Sequence, residues 1–86
     1  MAAAQPRRPG KLSFKEQREL EGIETAILTA EGRKAALEAT LADPATYQNA
    51  GASVAGMRAE LEEVTAEVER LYARWQELEA VRAGRS

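Results

Sequence analysis

The side chains in this sequence that could do chemistry are carboxylates and cations. Cysteine and histidine are both absent, which removes disulfides, zinc–thiolate sites and the usual base for nucleophilic catalysis. The 14 Asp and Glu residues show no calcium-loop spacing. No GxxxxGK[ST] or GxGxxG run is present to cradle a phosphate. Glutamates on solvated helix faces lack the apolar pocket that raises a carboxyl pKa toward general acid work. The sequence is therefore read as non-enzymatic, with no cofactor and no metal.

The informative chemistry is the placement of the 12 Lys and Arg residues. Residues 1–18 hold five basic residues against one acid, and residues 69–86 hold four against three. Between them, residues 19–68 hold three basic residues against ten acids. Both ends are basic and the middle is acidic, although the net charge is only −2. If the two ends meet, Lys11, Lys15 and Arg18 join Arg74, Arg82 and Arg85, with Arg7 and Arg8 nearby. Such a cluster could neutralise several phosphates. A blander reading pairs Lys15 with Glu19, Arg18 with Glu21 and Glu67 with Arg70 at helical spacing. The base is then a solvated face or a protein-docking arm, and the residues alone leave both readings open.

The elements that position these charges follow from periodicity. Residues 1–10 carry two prolines and a glycine among small residues and read as a flexible, disordered basic linker. Ser13 and Glu16 form a capping box, so a helix is expected from Phe14. Leu20, Ile23, Ile27, Ala30, Lys34, Leu37 and Leu41 then step by alternate threes and fours, a heptad seam. "DPATYQNAGAS", residues 43–53, interrupts it, because Pro44 disfavours helical geometry at Asp43. A second seam runs through Val54, Met57, Leu61, Val64, Val68, Leu71, Trp75 and Leu78, and Gly84 can cap its helix.

Two heptad helices joined by about a dozen residues fold back most simply as an antiparallel hairpin. The fold class is thus all-α: a two-helix antiparallel coiled-coil hairpin over 11–83, with helices 14–42 and 54–82, turn 43–53 and tail 84–86. Leu41 should face Val54, Lys34 face Leu61, Ile27 face Val68, and Leu20 face Trp75. Phe14, Leu20, Leu71, Tyr72, Trp75 and Leu78 should gather at the open end and make it firm. The alanine-rich tip, with Gly51 and Gly56, should be mobile. Gly22 and Gly32 each weaken the first helix by about 1 kcal/mol relative to alanine. Lys34 is expected to lay its stem along the seam and reach Glu38 or Glu60. Trp75 is read as core, and Tyr47 as packing the turn. No apolar run approaches the roughly 20 residues of a membrane span, and "MAAAQPRRPG" lacks a secretory core. A cytoplasmic protein without membrane contact is the expectation.

Three ordered blocks carry a resemblance. "KLSFKEQRELEGI" at the first helix start, "LADPATY" at the turn and "YARWQELEAV" at the end of the second helix resemble the C-terminal domain of Uup-like ABC-F ATPases. The likeness covers about residues 11–82. It rests on Lys11, Leu12, Ser13, Lys15, Gln17, Arg18, Glu19, Leu20 and Glu21, then Leu41, Ala42, Asp43, Pro44 and Tyr47, then Arg74, Trp75, Leu78 and Glu79. Phe14 departs from the family's usual tyrosine. No ATP-binding cassette is present, so the sequence is expected to be one domain of a longer ATPase.

The resemblance implies a hairpin that binds DNA and adds DNA affinity to its parent ATPase, in a family linked to transposon excision and genome maintenance. The implied nucleic-acid contacts are Lys11, Lys15, Arg18 and Arg74, supported by Arg70 and Arg82. They would act on phosphates, selecting DNA structure rather than sequence. ABC-F proteins as a group act on ribosomes, so RNA is a further implied partner. Hairpins with a similar turn also serve as tRNA-binding arms of aminoacyl-tRNA synthetases. An arm that docks on its own ATPase domains or on another protein is the remaining alternative.

Overall fold

A computed structural model of the chain describes residues 12–49 and 51–84. The expected linker over residues 1–10, and the candidate contact Lys11, lie outside them. Every regular element among the described residues is helical: α1 spans Phe14–Ala42, α2 Pro44–Gln48 and α3 Val54–Arg82.

The start of α1 is fixed by its cap. The Ser13 hydroxyl accepts from the Glu16 amide at 3.1 Å, and the Glu16 carboxylate accepts from the Ser13 amide at 3.0 Å. Two N–H groups that a helix start leaves unpaired are thereby satisfied. Glu16 is buried because it also lies on the inner face, one turn before Leu20. At the other end Asp43 is extended, as a residue before proline prefers, and α1 stops.

The turn is more regular than a polar loop. Asp43 ends α1 and also caps α2, its carboxylate accepting from the Ala45 amide at 3.0 Å. Pro44 occupies the first helical position, where no N–H is needed. The last carbonyls of α1 are taken up by side chains, Thr46 Oγ1 donating to Thr40 and the Tyr47 hydroxyl to Leu41, both at 2.6 Å. Asn49 then accepts from Gly51, and Ser53 caps α3 by accepting from Gly56. Tyr47 stays about half exposed, so its role in the turn is a hydrogen bond more than a packing contact. Gly84 ends α3 with φ of 82°, the left-handed conformation that glycine adopts without strain.

The two long helices lie side by side and run in opposite directions. Glu19 on α1 bonds Arg74 on α3, while Arg33 further along α1 bonds Glu60 further back along α3. The interior forms two clusters. Near the helix ends, Leu20, Ile23, Ile27 and Leu78 are buried, with Leu12, Leu71 and Trp75 packed on them. Toward the middle, Ala30, Val64 and Val68 are buried, with Leu37, Leu61 and Leu71 around them. Leu71 touches both clusters and joins them. Nearer the turn, Lys34, Leu37, Leu41, Val54, Met57 and Leu61 are only half-buried.

Two expectations need correction. Phe14 does not enter the basal cluster: it is 76% exposed, and Leu12 packs there instead. Seven residues back from Leu20 along the seam is Ser13, so Phe14 falls on the outer face. Glu60 is taken by Arg33 rather than Lys34. Among the described residues Lys34 makes no ion pair, and its half-buried position accords with a stem laid on the seam.

Candidate nucleic-acid interface

Of the described candidate residues, one pair is brought together across the two long helices. Lys15 and Arg74 line one hollow of about 570 Å³ at the base, together with Ser13, Glu16 and Glu19. This juxtaposition depends on the antiparallel arrangement, since the two residues are far apart in sequence. Arg18 lies in a different hollow, with Phe14, Gln17 and Glu21. Arg70 precedes Arg74 by one helical turn and is exposed. Arg82 sits in the last turn of α3, where a cation meets the negative end of the helix dipole.

These cations differ in how far they are already engaged. Arg74 reaches across to Glu19 through two N–H groups, Nε at 2.7 Å and Nη2 at 2.9 Å, a fork-on-carboxylate geometry. Its third nitrogen, Nη1, donates to Glu77 at 2.8 Å. Arg82 donates to both oxygens of Glu79 from Nη2. Lys15, Arg18 and Arg70 make no ion pair with any described residue. The local pairs suggested by spacing, Lys15–Glu19, Arg18–Glu21 and Glu67–Arg70, do not form.

The electrostatics follow from these bonds. The Arg74 guanidinium holds the Glu19 carboxyl below the usual carboxylate range, with Lys15 adding a smaller push in the same direction. Arg74 is in turn held more firmly protonated by Glu19 and then Glu77. On the opposite flank the Tyr72 hydroxyl donates to Glu31 at 2.8 Å, and this bond raises the phenol's pKa. Tyr72 also meets Trp75 edge-on, with ring centres 6.4 Å apart, and the Trp75 N–H points at Glu24 at 3.4 Å. Among the described residues no group of three or more acidic side chains is placed to hold a metal. No described helix is long and apolar enough to cross a membrane.

Glu19 is the residue whose role spacing concealed. Its cation is 55 positions away, and only the register of the two helices reveals the pair.

The described residues thus form a two-helix hairpin with a capped first helix and a short helix at the turn. Residues 11–80 match the model of the ABC transporter C-terminal domain, and the chain belongs to that family. Two relatives from Haemophilus influenzae are named "ATP-binding protein Uup-like" and "ATP-binding protein Uup". Each is 41% identical over 69 residues, which is 80% of this chain. The matched segment is 15% of the first relative and 11% of the second, so the chain spans a small part of their length. These matches bear out the resemblance to the C-terminal domain of Uup-like proteins. No solved structure gives a significant match.

Proposed function

We propose that this domain binds DNA through phosphate contacts at its base and adds DNA affinity to an ATP-binding protein in the Uup-like family, working in the cytoplasm. The observation that carries the reading is the set of exposed cations, Lys15, Arg18 and Arg70, that no described carboxylate neutralises. Glu19, the carboxylate one turn from Lys15, is bonded to Arg74 instead, and Glu21 and Glu67 make no described ion pair with Arg18 or Arg70. The acidic shaft, with Glu31, Glu38, Glu60, Glu62, Glu63 and Glu67, repels phosphate and restricts contact to the base. No described element is shaped to read base edges in a groove, which makes the binding sequence-independent. Lys11 extends the same basic patch in sequence.

A salt-series anisotropy titration with labelled duplex, branched DNA and tRNA tests this. Three phosphate contacts give a slope of about −2.7 in log–log form, or roughly 40-fold weaker binding between about 50 and 200 mM salt. A Lys15→Ala/Arg18→Ala/Arg70→Ala variant should bind weakly and with a flat salt response. If it binds as well as the parent, the basic base is not the contact surface. Much tighter binding to tRNA than to DNA would reassign the arm to RNA. No binding to any probe would leave protein docking as its role.

A further inference from the structure

The chain has four large aromatic rings, and three of them are held by core packing or a hydrogen bond. Trp75 packs on the basal cluster and faces Glu24, Tyr72 bonds Glu31, and Tyr47 bonds a carbonyl at the end of α1. Phe14 does not share this pattern. It is 76% exposed, and its ring contact is the Arg18 guanidinium, 5.6 Å from the ring centre. Nothing in the packing needs a ring at this position, because Leu12 covers the end of the core.

Phe14 is flanked by two α1 cations that make no described ion pair, Lys15 in the next position and Arg18 one turn on. With Gln17, Arg18 and Glu21 it lines an open hollow of about 390 Å³. An exposed aromatic ring with one cation against it, a second cation in the next helix position on the neighbouring hollow, and an amide with donor and acceptor atoms are what a single nucleic-acid strand needs. The ring stacks on a base, the cations take the flanking phosphates, and Gln17 can meet a base edge. Glu21 repels phosphate from the far side of the hollow and so directs the backbone along Lys15 and Arg18. A duplex cannot use the ring, because its bases are already stacked on one another.

We infer that Phe14 is a stacking platform for an unpaired nucleobase, with Lys15 and Arg18 holding the adjacent phosphates. This rests on the nucleic-acid reading above and deepens it, by predicting a preference for single strands and forks over blunt duplex.

The test uses the full chain with a labelled single-stranded DNA, a fork and a blunt duplex at one salt concentration, and a single-stranded RNA of the same sequence. Phe14→Ala should weaken binding to the single strand and the fork on the order of tenfold, and leave duplex binding within about twofold. Phe14→Tyr should restore the loss. Similar loss on single-stranded RNA and DNA would place the contact on the base face, while loss on one alone would assign the strand type. Because the ring is exposed, the variant should keep the parent's melting temperature. Unchanged single-strand binding by Phe14→Ala, or an equal loss on duplex, overturns the inference. If Lys15→Ala/Arg18→Ala weakens every probe while Phe14→Ala weakens none, only the stacking role falls. If no probe binds the parent chain, the nucleic-acid reading falls with it.

Discussion

Arg74 is the most heavily engaged cation among the described residues, with Glu19 and Glu77 both bonded to it. It therefore clamps α1 to α3 and is available to phosphate only by giving up a carboxylate. Glu19→Gln should release it, raising DNA affinity and steepening the salt slope by about 1. An anisotropy series that shows no gain would assign Arg74 to structure alone. The same pair sets a pH response. The folded Glu19 carboxyl is held low, so its contribution to stability is present above the ordinary carboxylate range and fades as pH falls through its depressed folded pKa. Urea midpoints measured at pH 7 and near pH 3 should fall less in Glu19→Gln than in the parent. An identical fall would remove the clamp from the account. The sequence placed Arg74 at the base but gave Glu19 to Lys15, its neighbour one turn away. Arginine's fork fits both carboxylate oxygens, whereas a lysine offers a single point of charge, and that preference acts across helices. Phe14 was misassigned because a large ring was assumed to seek the core. Its place off the seam was already legible from the spacing to Leu20.

At the scale of elements, both long helices were readable from period and cap. Ser13 with Glu16 marks the start of α1, and the two seams choose the buried faces, including the meeting of Leu20 with Trp75 in one cluster. The short α2 was missed for a specific reason. Asp43–Pro44 was read only as a helix breaker, but the same pair is also a helix starter, an N-cap followed by proline at the first position. Helix propensity yields a stability prediction for α1. A methyl group at Gly22 or Gly32 would meet nothing within 4 Å, and neither position has an unusual φ. Gly22→Ala/Gly32→Ala should therefore stabilise the domain by up to about 2 kcal/mol, read as a higher thermal midpoint. Gly56→Ala should not give the same gain, because its Cβ would lie 2.7 Å from the Ser53 hydroxyl that caps α3. Equal gains at all three positions would show that local propensity alone, not the cap, governs the response.

For the whole molecule, burial is concentrated away from the turn. The buried apolar residues of α1 end at Ala30 and those of α3 begin at Val64. Leu78, at 1% exposure the most enclosed apolar side chain among the described residues, belongs to the basal cluster. Leu78→Ala should cost about 2–5 kcal/mol, a large part of what so small a domain has. Loss of the helical circular dichroism signal at 37 °C would register it, and a near-parental melt would contradict the core described here. Amides of residues 33–42 and 54–60 should exchange faster than those of 64–78, since opening there exposes little apolar surface.

The antiparallel arrangement also has a mechanical consequence. Leu12 and Gly84 lie at the same end of the paired helices, so tension that separates them peels α1 from α3 instead of sliding one along the other. The Arg74–Glu19 clamp and the Leu20–Leu78 contacts would carry the first load, and the pairs toward the turn would open one after another at low force.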